Sequence, residues 1–162
     1  MTSFALPLRS APGVFFIFLF YFNYLVPIWA LPPGVYAIIN NVFSHEDEAL
    51  VITFNGINEP VTVTVWTDDP AQHWVIAGDD TMAQCVSPEG AQDLQPAWGD
   101  HFVTVLLGVN YVWTIKNRGT GYTIQDGGQT VFWGVEDAVA GAGVTIGAGT
   151  SSETQKWSFE SI

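Results

Sequence analysis

Gln72-His73-Trp74-Val75-Ile76 returns twice in altered form, as Tyr111-Val112-Trp113-Thr114-Ile115 and as Gln155-Lys156-Trp157-Ser158-Phe159. The Trp-to-Trp intervals are 39 and 44 residues, a period at which a repeated supersecondary unit is the natural reading. Gly34-Val35-Tyr36-Ala37-Ile38-Ile39-Asn40 opens the first unit and Gly121-Tyr122-Thr123-Ile124-Gln125-Asp126 the third, while the second opens less clearly at Ala83-Gln84-Cys85-Val86-Ser87. Each unit then carries a Gly-marked turn (Phe54-Asn55-Gly56, Ala97-Trp98-Gly99, Phe132-Trp133-Gly134). A β-branched strand follows: Val61-Thr62-Val63-Thr64-Val65, Val103-Thr104-Val105-Leu106 or Val144-Thr145-Ile146. About four short strands per unit are expected, with turns between them.

Alternation of period two dominates and sustained helical periodicity is missing, so the body is all-β with one face of each strand buried. Four strands taken three times need a closed barrel with a hairpin cap to avoid long unpaired edges. That architecture is a β-trefoil. The Gly-x-Tyr-x-Ile-x-Asn opening and the Gln-x-Trp closings at Gln72 and Gln155 make the chain from Leu31 to Ile162 resemble the ricin-B-type trefoil lectins, particularly small fungal ones. The second unit departs from that pattern by carrying Tyr111 where Gln is expected.

Composition narrows the partners. Sixteen Asp and Glu oppose four Lys and Arg, for a net charge of −12. A nucleic-acid surface needs clustered cations to displace counterions from phosphate, and beyond Arg9 only Lys116, Arg118 and Lys156 are available. Nucleic acid and anionic membrane surfaces are therefore not expected partners. The N-terminus is a separate matter: from Gly13 to Leu31 no residue is charged, a stretch of about 28 Å as helix, just enough to span a bilayer. Asn23 and Pro27 weaken a spanning segment, and Ile28-Trp29-Ala30 offers a small residue for a signal peptidase before Leu31. Residues 1–30 are expected to be a cleaved signal peptide or hydrophobic leader and residues 31–162 one domain, giving a secreted protein. A retained anchor, or a start-site artefact leaving a cytoplasmic protein, are the alternatives.

Catalysis finds little support. His45, His73 and His101 fall in different units and read as surface histidines, and neither Gly-x-Ser-x-Gly nor His-Glu-x-x-His occurs. The acidic runs at Glu46-Asp47-Glu48, Asp68-Asp69 and Asp79-Asp80 lack the alternating oxygen ligands and central Gly of a dedicated Ca²⁺ loop. No metal, no cofactor and no enzymatic role are expected. Cys85 is the single cysteine, so the fold must hold without an internal disulfide.

Recognition by aromatic faces remains. Sugars present apolar C–H patches beside hydroxyls, which call for an aromatic platform next to planar donors and acceptors. Trp74, Trp113 and Trp157 are expected in equivalent inward positions, with Gln72 and Gln155 bonded to turn backbone. Trp98 and Trp133 each precede a turn Gly and are expected at the surface. Leu106-Leu107-Gly108-Val109-Asn110-Tyr111-Val112-Trp113 resembles the glycan-lining strand and loop of mushroom trefoil lectins that recognise fucosylated, chitobiose-type glycans. That resemblance implies a non-catalytic lectin whose carbohydrate site comprises Trp98, Asn110, Tyr111, Val112 and Trp113, including the edge of the Trp113 indole, with Trp133 an additional candidate. GlcNAc-containing or fucosylated oligosaccharides are the implied ligands. A trefoil protease inhibitor acting through its loops is the alternative, because such inhibitors share the opening strand.

Overall fold

The computed structural model describes residues 31–78, 83–108 and 110–162. The expected leader lies outside these residues, as do Asp79 and Asp80. Among the described residues there are twelve strands, four to a unit. The first unit holds β1 (Gly34–Asn40), β2 (Leu50–Thr53), β3 (Thr62–Val65) and β4 (His73–Ala77). β5 (Cys85–Pro88), β6 (Leu94–Trp98), β7 (Val103–Leu107) and β8 (Thr114–Asn117) form the second. The third comprises β9 (Tyr122–Gln125), β10 (Val131–Gly134), β11 (Thr145–Ala148) and β12 (Trp157–Ser161). No helix among the described residues is long and apolar enough to cross a membrane.

The first and last strands of each unit build a barrel. β1 pairs with β4 and β12, β4 with β5, and β9 with β8 and β12. The remaining gap, between β5 and β8, is closed by a bridge in which Gln84 and Trp113 exchange amide-to-carbonyl bonds of 2.9 and 2.8 Å. Closure removes the sheet edges that would otherwise template aggregation. The inner strands pair as three hairpins, β2–β3, β6–β7 and β10–β11. They meet in a ring of backbone bonds: Val61 N donates to Val103 O (2.9 Å), Val103 N to Val144 O (2.8 Å) and Val144 N to Val61 O (2.9 Å). The repeat inferred from Trp spacing is thus a pseudo-threefold axis, and the chain is a β-trefoil.

Trp74, Trp113 and Trp157 are fully buried. Each donates its indole N–H to a carbonyl of the hairpin above it, at Ile52 (2.9 Å), Pro96 (3.0 Å) and Trp133 (3.2 Å). A buried indole needs such a partner, and these bonds fasten cap to barrel in every unit. Ile38, Val86 and Ile124 from the opening strands complete the same core at zero exposure. Cys85 is a free, half-buried thiol.

Candidate functional site

The indole bonds put the three units into register. Ile52, Pro96 and Trp133 correspond, and so do the residues two before each barrel Trp: Gln72, Tyr111 and Gln155. In the outer units this position holds a loop together. Gln72 accepts from Thr67 N (2.9 Å) and donates to Val65 O (2.8 Å), while Gln155 accepts from Thr150 N (2.8 Å) and donates to Ala148 O (2.8 Å). Both amides are spent on backbone, as expected. Asp69 and Ser152 cap one-turn 3-10 helices, Pro70–Gln72 and Glu153–Gln155, in these loops.

The second unit is built differently. Five residues, 108–112, join β7 to Trp113, against eight in each of the other units, so there is no room for the 3-10 turn. Asn110 turns the chain with a φ of 56°, a left-handed conformation that Asn tolerates better than most residues. The clamp comes from the neighbouring strand instead: Gln95 on β6 accepts from Tyr111 N at 2.9 Å. Relieved of that duty, the residue at 111 can be aromatic. Its ring lies tilted over Trp113, with centroids 5.3 Å apart and planes at 35°. Asn110 and Val112 are exposed beside it, and Leu107 is 60 % exposed at the end of β7.

The structure therefore brings Asn110, Tyr111 and Val112 onto one loop, over Trp113 and against Gln95. Sequence reasoning missed Gln95, which no local pattern singles out. Trp98 is exposed, as expected, but stands three residues farther along β6 from Gln95, about 10 Å at the usual strand rise.

Two expectations are corrected. Trp113 is fully buried with its N–H committed to Pro96 O, so it supports Tyr111 from below and its edge does not reach a ligand. Trp133 is also fully buried, packed edge-to-face on Trp113 with centroids 4.8 Å apart. It corresponds to Ile52 and Pro96, whereas the counterparts of Trp98 are Phe54 and Val135, two residues later. Trp133 thus points into the cap, and is no surface platform.

His73 is a third correction. It is 8 % exposed, with Nδ1 2.9 Å from Glu89 Oε2 and Nε2 3.0 Å from Asp68 Oδ1. Carboxylates only accept, so an imidazole bonded to both donates from both nitrogens. Burial pushes its pKa down, but the hydrogen bonds and charges of Glu89 and Asp68 outweigh that and raise it above the usual histidine value. Among the described residues no group of three or more His, Cys, Asp or Glu side chains is arranged to hold a metal. The arrangement at the second unit suits noncovalent recognition: an aromatic face, two apolar side chains and an amide.

A family model described as CCL2 lectin-like matches residues 34–157. No curated protein matches the sequence at a significant level. Among solved structures, a ricin B-like lectin from Macrolepiota procera, determined in complex with lactose, superposes with a TM-score of 0.65 at 14 % identity, over 82 % of this chain and 99 % of that one. A designed threefold-symmetric protein, ThreeFoil, gives 0.59 at 17 % identity, over 80 % of this chain and 99 % of its own. A mosquitocidal holotoxin gives 0.71 at 17 % identity, over 82 % of this chain, which spans only 18 % of the toxin. At such identities the structures establish the trefoil fold, and the family model carries the assignment further. With 34–157 covering most of its length, the chain belongs to the CCL2-like family of lectins.

Proposed function

We propose that the protein binds neutral oligosaccharides containing N-acetylglucosamine, including fucosylated ones, on the loop before Trp113. Carbohydrate binding of a non-catalytic kind follows from the family; the ligand class and the residues are this proposal. One observation carries it. Only in the second unit is the loop-holding Gln replaced by an aromatic residue, and there Gln95 takes over the clamp at 2.9 Å, leaving Tyr111 with no evident structural task beyond resting on Trp113. Tyr111 and Val112 form the apolar floor for a pyranose, and Asn110 supplies the amide. Trp98 lies at a distance that an oligosaccharide spans and a single sugar does not, which favours an extended ligand.

A glycan array on the full chain tests the class, with micromolar to millimolar affinity expected, about −8 to −4 kcal/mol. Neutral sugars give the net charge of −12 nothing to repel, so binding should change little with added salt. An array that lights only charged glycans overturns the reading. Secretion after cleavage before Leu31 belongs to the same proposal, and N-terminal sequencing of protein recovered from culture medium checks it.

A further inference from the structure

The third unit carries a pocket at the place that corresponds to the second unit's platform. Counting back from Trp157, Lys156 matches Val112 and Gln155 matches Tyr111; along the hairpin, Phe132 matches Gln95. These three residues, with Arg118, Ser151 and Ser152, line a cavity of about 570 Å³, within the range of small-molecule sites. Gly149 gives it depth, since a Cβ there would stand 2.6 Å from the Phe132 ring.

Its charge is opposite to that of the molecule. Of the three Lys and Arg among the described residues, Arg118 and Lys156 line this pocket, on a chain whose net charge is −12. Their availability differs. Lys156 donates to Thr120 Oγ1 (2.8 Å) and to Glu153 Oε1 (2.5 Å), so much of its charge is already answered. Arg118 is exposed, and its Nε donates to Thr123 Oγ1 at a long 3.5 Å, one of five N–H groups in a planar fork suited to a carboxylate. Ser152 Oγ accepts from Thr154 N (3.3 Å) and from Thr154 Oγ1 (3.1 Å), which leaves its own proton to donate. An aromatic wall, a hydroxyl donor and a guanidinium converge on one cavity. Surface charges farther away than a Debye length, about 8 Å at physiological ionic strength, are screened from it.

We infer that this pocket is a second carbohydrate site, selective for a pyranose bearing a carboxylate, with Arg118 holding the acid group and Phe132 stacking the ring. It is independent of the neutral-glycan platform. The test compares methyl β-D-glucuronide with methyl β-D-glucoside, which differ only at C6, by titrating each into the full chain and following backbone amide resonances. The glucuronide should bind at least about tenfold more tightly, shift the amides of residues 149–156, and weaken as salt is raised. Arg118→Gln, an exposed change whose folding a melt verifies, should abolish the preference. Equal binding of the two sugars, an unchanged preference in R118Q, or shifts confined to other loops would overturn the site. Inorganic sulfate competing as well as the glucuronide would show an anion site without sugar selectivity, and overturn it too.

Discussion

The loops before Trp74 and Trp157 share one backbone design and end in opposite ways. In each, a residue six before the Trp has a positive φ, 61° at Asp68 and 59° at Ser151. The next residue caps a single 3-10 turn, Asp69 Oδ1 accepting from Ala71 N at 2.8 Å and Ser152 Oγ from Thr154 N at 3.3 Å. A Gln then ties the loop to its own strand. The last position differs. His73 is gripped by Asp68 and Glu89, which staples the first loop to the turn after β5. Lys156 instead reaches along the surface to Thr120 and Glu153, and a cavity remains beside it. The backbone template sets where a loop stands, and a few side chains decide whether it is a fastening or a mouth.

The comparison presumes a common scaffold, and the largest expected effect tests that. Trp74→Ala and Trp157→Ala remove fully buried indoles of equivalent position. Each should cost about 3 to 5 kcal/mol, the transfer and cavity terms together, read from chemical denaturation. A loss below about 1 kcal/mol at either residue would mean that its unit is not held by the shared indole-to-carbonyl bond.

A smaller effect sharpens the contrast with the shortened second loop. Tyr111→Ala should weaken neutral-glycan binding by about 1 to 3 kcal/mol, as truncation of an aromatic anchor does. Its backbone N–H still reaches Gln95, so the fold should survive with little change in melting temperature. Trp98→Ala, at the far end of β6, should lose about 1 kcal/mol or less. Titrations of both variants with one chitobiose-type oligosaccharide decide the order, and a larger loss at Trp98 would move the centre of the platform to the cap end of the hairpin.

What was legible in the sequence was whatever the repeat imposes on every unit. Trp74, Trp113 and Trp157 recur because the same indole bond is needed three times, and the strands around Val61, Val103 and Val144 recur because those residues form the central ring. The hairpin turns obey no such constraint. Six residues separate Phe54 from Val61, four Trp98 from Val103 and eight Val135 from Val144, so aligning units on their turn glycines paired Trp98 with Trp133, two residues out of step. That misalignment alone predicts an exposed Trp133. Gln95 and the grip of Glu89 on His73 were illegible because each pair meets across strands 16 residues apart, a separation that local alternation does not encode, and Asp68 joins His73 only through the left-handed turn of its loop. The basic pocket was hidden likewise: Arg118 lies between β8 and β9, Phe132 on β10 and Lys156 just before β12, and only the folded sheet brings them to one cavity.

The smallest effect expected is the pH dependence of the first loop's fastening. His73 has a raised pKa because Glu89 and Asp68 bond to its imidazolium more strongly than burial opposes the charge. A group whose folded pKa exceeds its unfolded value, about 6.5 for histidine, stabilises the fold fully at pH below that unfolded value. The contribution then declines as pH rises through the folded pKa, where the native state also gives up the proton. His73→Gln keeps a polar side chain without a titrating charge. The difference in unfolding free energy between wild type and H73Q should therefore be largest near pH 5, at about 1 kcal/mol given that both carboxylates are well exposed. It should shrink toward alkaline pH. His45 and His101 are common to both proteins, so subtracting one curve from the other isolates His73. Urea midpoints from pH 5 to 9 supply the measurement; a difference that stays flat, or grows with pH, would show that the two carboxylates do not hold an imidazolium, and that the first loop is closed by packing rather than by charge.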